Sequence, residues 1–77
     1  MSDRLIELFA EEFSLASSVI DENSSPETVE AWDSLASMRL VEAIEDSFGV
    51  KLTTGEIMKM NKVGIVREVL RSRNIEI

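Results

Sequence analysis

The chain has 77 residues, 15 of them Asp or Glu against 8 Lys or Arg, a formal net charge of −7, and neither cysteine nor histidine. One domain of this size buries only about 60% of the surface of its unfolded chain and holds a net stability on the order of 4 to 12 kcal/mol, which leaves little room for an elaborate catalytic site. The missing Cys and His remove disulfides, thiolates and the commonest near-neutral base and metal ligand, and the acidic balance argues against nucleic acid, whose phosphates require clustered cations.

Charge is unevenly spread. Residues 1–50 carry 12 acids and 2 bases, whereas residues 51–77 carry 3 acids and 6 bases. An acidic N-terminal part steers basic partners over long range, although a merely soluble surface explains the same count. The opening MSDRLIELFAEEF lacks the basic flank and long apolar core of a signal peptide, and no apolar run approaches the length of a bilayer span. The expectation is a cytoplasmic protein without membrane insertion.

Between residues 3 and 15, Leu5, Leu8, Phe9 and Phe13 recur at helical spacing, with Arg4, Glu7 and Glu11 on the other side. This predicts a first amphipathic helix. A long connection follows, with Pro26 inside it and Ile20, Val29 and Trp32 along it, large apolar residues that predict a loop packed back onto the core.

A second helix is expected to start at Asp33 or Ser34, both good acceptors for the free N–H groups of a first turn, and to end at Gly49. Its wheel places Leu40, Val41, Ile44 and Phe48 on one side with Ser37 and Ser47. Leu35 and Met38 fall opposite, among Arg39, Glu42, Glu45 and Asp46. Isolated exposed apolar residues are ordinary, and a loop can cover such a pair. The sharper reading is a docking spot, in which the apolar centre supplies contact energy and the charged rim sets orientation.

Thr53 and Glu56 stand at capping-box spacing, which predicts a short third helix over about residues 54–59. Val50-Lys51-Leu52 alternates like a strand but has no partner strand in sight. Asn61 is a candidate cap for a fourth helix with Val63, Val66, Val69 and Leu70 buried and Arg67, Glu68 and Arg71 outside. The fold class is all-α: a small four-helix bundle in one domain, residues 1–77, with a short third helix and a long loop between helices 1 and 2.

Asp-Ser ahead of an amphipathic run is explained by helix capping alone. The functional alternative needs a hydroxyl that an enzyme can reach and a place for a phosphate, and a helix N-terminus offers both. The absence of histidine argues against self-catalysis by Ser34, because an unactivated serine is a weak nucleophile. Any modification is therefore installed by another enzyme.

The run Asp33-Ser34-Leu35, followed by Met38, Leu40, Val41, Ile44 and Phe48, resembles the modification site and second helix of acyl carrier proteins. The likeness extends almost end to end, through chain length, acidic charge, the loop before the motif and the order of the helices. It implies that a phosphopantetheinyl transferase moves 4'-phosphopantetheine from coenzyme A onto Ser34, with Asp33 positioning the motif. It also implies a non-enzymatic, monomeric shuttle that carries acyl groups as thioesters between acyl-loading and acyl-receiving enzymes.

In that family the second helix is the face that partners read, which agrees with Leu35 and Met38. Its acyl pocket commonly lies between helices 2 and 3, where Leu40, Ile44, Leu52, Ile57 and Met60 are lining candidates, although all five also suit an ordinary core. Glu30-Ala31-Trp32 ahead of the motif looks more like discrete carriers of specialised pathways than those of housekeeping fatty acid synthesis. Arg39 stands where the latter place an acid, a repulsive element against sites built from Arg and Lys. Fatty, polyketide, aminoacyl, peptidyl and aryl cargoes all remain open. So does a function of another class, an unmodified helical adaptor that binds through Leu35 and Met38. An enzyme built from carboxylates alone is the weakest reading.

Overall fold

The computed structural model describes residues 3–77. Helix α1 (Arg4–Phe13) starts at Asp3, whose Oδ1 accepts from the N–H groups of Leu5 and Ile6 at 3.1 and 3.2 Å. A cap of this kind contributes about 1 kcal/mol. The helix stops at Ser14, which takes the left-handed conformation (φ 55°), while the Ser14 and Leu15 N–H groups reach back to Glu11 and Ala10. Leu5, Phe9, Ala10 and Phe13 are buried and Leu8 is half-buried, which agrees with the helical spacing.

The connection from 14 to 33 contains one 3-10 turn at Ser17–Val19 and delivers Ile20, Val29 and Trp32 to the core. Trp32 meets Phe9 edge-on at 5.1 Å between ring centroids and Phe13 at 5.6 Å. Its indole N–H has no partner among the described residues, so apolar area and ring packing alone hold it. That anchor immediately precedes Asp33 and fixes where the next helix begins.

Helix α2 (Ser34–Phe48) closes at Gly49, where φ is 65° and a glycine carries no Cβ penalty. Leu40 and Ile44 are buried, with Val41, Phe48 and Ser37 half-buried. Ser47 is exposed instead of facing the core. Its carbonyl accepts from Arg4 Nη2 at 3.2 Å, and the Arg4 guanidinium lies 4.7 Å over the Phe48 ring. The α1–α2 seam is therefore closed at one end by a cation on an aromatic face.

Residues 50–53 form an extended link with no strand among the described residues. Helix α3 (Thr54–Lys59) carries the expected capping box: Thr53 Oγ1 accepts from the Glu56 N–H at 3.2 Å, and Glu56 Oε1 accepts from the Thr53 N–H at 2.9 Å. Helix α4 (Val63–Ser72) departs from expectation twice.

Asn61 does not cap it. The N-cap is Lys62, which makes no side-chain bond, and the first-turn N–H groups of Val63 and Gly64 instead donate to the carbonyls of Ser24 and Glu22, each at 3.0 Å. The long loop is itself the cap. A Cβ on Gly64 would stand 3.2 Å from the Glu22 carbonyl oxygen, so glycine is what permits this approach.

Arg67, placed outside the stripe by its spacing, is buried. Its Nε and Nη2 grip Glu22 at 2.7 and 2.9 Å, and Nη2 also reaches Asp3 Oδ2 at 2.7 Å. These hydrogen bonds to Glu22 and Asp3 outweigh desolvation and hold Arg67 above the usual arginine range. Burial pushes the Asp3 carboxyl up, but the bonds from Arg67, Ile6 and Leu5 together bring it below its ordinary value. One guanidinium thus ties the start of α1 and the loop to α4, beneath a core completed by Val63, Val66, Leu70 and Met60.

Candidate functional site

Capping and accessibility separate cleanly at the head of α2. The N-cap is Asp33, whose Oδ1 accepts from the Ala36 N–H at 2.8 Å. Ser34 is the first helical residue and exposed, so the capping role belongs to its neighbour and the hydroxyl is free of that duty. The N–H groups of Ser34 and Leu35 stand in the first turn, where a helix has no partner for them and where its positive dipole end favours a phosphodiester. A phosphate on the Ser34 hydroxyl would stand beside these donors, and the Oδ1 of the neighbouring Asp33 is already engaged by the Ala36 N–H.

The docking candidates lie where the wheel puts them. Leu35 is 59% exposed and Met38 68%. Arg39, Glu42 and Asp46 are exposed as well, whereas Glu45 is half-buried. Glu45 is engaged elsewhere, since its Oε2 accepts from the Leu52 N–H at 2.9 Å and so braces the link into α3.

The five lining candidates are not alike. Leu40, Ile44 and Met60 belong to the buried core cluster, and Leu52 packs against its edge. Ile57 sits at the surface.

Spacing missed Met58, at 78% the most exposed of the large apolar side chains described. A helix of six residues has fewer than two turns, too few for periodicity to assign it a buried face. Leu15 and Val19, which no helical spacing marks, are also exposed in the long loop.

A family model described as a phosphopantetheine attachment site matches residues 3–70. No curated protein matches the chain. Among solved structures, the chain is similar to a holo acyl carrier protein from Geobacter metallireducens determined by solution NMR, with a TM-score of 0.74 and 28% identity over 97% of this chain and 92% of that one. The four helices, the free first turn of α2 and the family match agree, and the chain belongs to the phosphopantetheine-attachment family as a carrier of the acyl carrier protein type.

Proposed function

We propose that Ser34 is the residue that bears the covalent 4'-phosphopantetheine, transferred from coenzyme A by a phosphopantetheinyl transferase. The observation that carries this is the division of labour at α2, where Asp33 caps and leaves the exposed Ser34 hydroxyl available beside unpartnered N–H groups. The bound group supplies a terminal thiol, which a chain without cysteine otherwise lacks, and with it the thioester linkage for acyl intermediates. Asp33 orders the first turn so that the hydroxyl is presented at one fixed place, and Trp32 anchors that turn to the core.

The partner face is the exposed side of α2, with Leu35 and Met38 as contact centre and Glu42 and Asp46 as acidic rim. Arg39 interrupts the rim and selects against a partner whose site is wholly basic. The single domain works as a cytoplasmic monomer between acyl-loading and acyl-receiving enzymes. Leu40, Ile44, Leu52 and Met60 act as core.

Intact mass before and after incubation with coenzyme A and a broad-specificity phosphopantetheinyl transferase tests the attachment. The expected result is a gain of one phosphopantetheine by the wild-type chain and none by Ser34→Ala. A gain that survives in Ser34→Ala, or no gain by the folded wild type across several transferases, overturns it.

A further inference from the structure

The connection from 14 to 33 holds five carboxylates, Asp21, Glu22, Glu27, Glu30 and Asp33, and no lysine or arginine. Three of them are used inside the fold: Asp21 Oδ1 accepts from the Asn23 N–H at 2.8 Å, Glu22 grips Arg67, and Asp33 caps α2. Glu27 and Glu30 are exposed, and among the described residues no hydrogen bond or ion pair takes up their carboxylates. Glu30 lines a groove of about 530 Å³ together with Leu15, Val19, Thr28, Val29 and Ala31, and Glu27 adjoins Thr28 in the chain.

The rest of the lining is apolar or already satisfied. Leu15 and Val19 leave 39% and 60% of their surface to solvent, while the Thr28 hydroxyl accepts from the Ser25 N–H at 3.0 Å and donates to the Ser25 carbonyl at 3.2 Å. The walls are fixed: the Leu15 N–H donates to the Ala10 carbonyl at 2.9 Å, the Val29 N–H donates to the Ser25 carbonyl at 2.8 Å, and the Val29 side chain is buried. An occupant therefore meets a surface already in place, with no loop to order.

We infer that this groove docks a partner protein, through a segment that places a branched aliphatic side chain beside a lysine or arginine. The apolar side chain covers Leu15 and Val19, and the cation meets Glu30, with Glu27 adding to its attraction. The exposed face of α2 differs, because Arg39 follows Met38 there, whereas no base stands anywhere from residue 14 to 33 to repel the cation. The inference does not depend on Ser34 carrying an arm.

The test titrates the unmodified full chain with a synthetic helical peptide that repeats leucine at every fourth position among lysines. It reads amide shifts and intermolecular nuclear Overhauser contacts to protein methyl groups. Expected are contacts from the peptide leucines to Leu15, Val19 and Val29, about fivefold weaker binding by Val19→Ser, and about threefold weaker binding by Glu30→Gln. A peptide with glutamate in place of lysine should leave the shifts of these residues unchanged. Both substituted side chains are exposed, so each variant should keep the wild-type thermal melt, which is recorded alongside. Contacts confined to Leu35 and Met38, or undiminished binding by Val19→Ser, would overturn the groove as a docking site. Shifts of Leu15 and Val19 that follow the concentration of the chain alone would make the occupant a second copy and overturn the partner.

Discussion

Helices α3 and α4 are neighbours in sequence and pack on one another, yet they are held by different physics. Helix α4 places Val63, Val66 and Leu70 wholly inside the core and buries Arg67 beside them. Helix α3 has no buried residue. Its attachments are polar: the capping box, the Glu45 carboxylate on the Leu52 N–H, and the Glu56 carboxylate, which receives Arg73 Nε at 3.0 and 3.1 Å and Arg73 Nη2 as well. Apolar burial depends little on pH, whereas half-buried carboxylate contacts near the surface respond to both pH and salt. The contrast makes α4 part of the global fold and α3 an element whose stability is separately adjustable.

The largest effect should come from α4. Leu70→Ala removes a fully buried side chain and should lower the unfolding free energy by about 3 kcal/mol, read from chemical denaturation. A loss confined to residues 54–59, with the midpoint unchanged, would reverse the assignment of the two helices.

Arg67→Ala comes next. Breaking a buried ion pair costs about 3 to 5 kcal/mol, but Asp3 and Glu22 side chains are 42% and 51% exposed, so water recovers part of that loss. About 2 kcal/mol is expected in the same denaturation experiment, with amide exchange rising first at Val63 and Gly64, which donate to the loop that Arg67 holds. An effect limited to α1 would show that Glu22 does not transmit the tie.

The smallest effect is local and belongs to α3. The hydrogen bond from Arg73 first, and then the Thr53 N–H, hold the Glu56 carboxyl at about 2, below its ordinary value of 4.5. A depressed carboxylate stabilises the folded form fully above the unfolded value, and that contribution is lost as pH falls through the folded one. Carbon chemical shifts of residues 54–59 should therefore lose helical character between about pH 4.5 and 2, while those of α4 persist further into acid. Glu56→Gln should remove this step. A variant that melts with the wild-type pH profile would place the control elsewhere.

Locally encoded features were legible from spacing. The bounds of α2 follow from Asp33 and Gly49, and the start of α3 from the Thr53–Glu56 box, because each signal and its partner lie within a turn of one another. The core stripe of α1 and the exposure of Leu35 and Met38 follow from helical periodicity in the same way. The candidate site shared this legibility, since Asp33, Ser34 and Leu35 are consecutive.

Where spacing failed, the deciding partner was remote. Arg67 has the periodicity of a solvent-facing residue, and only the arrival of Glu22 and Asp3, 45 and 64 positions away, offsets the cost of its burial. Asn61 has the chemistry of a cap, but the loop carbonyls of Glu22 and Ser24 occupy the donors first. Glu45 looks like rim charge until the Leu52 N–H claims it. The sequence by itself determined where helices begin and end and which hydroxyl stands at the head of α2, because those depend on backbone donors and side chains a few residues apart. Which charges are buried and which loop caps α4 were decided only when distant segments met, since their free energies depend on what displaces water at each site.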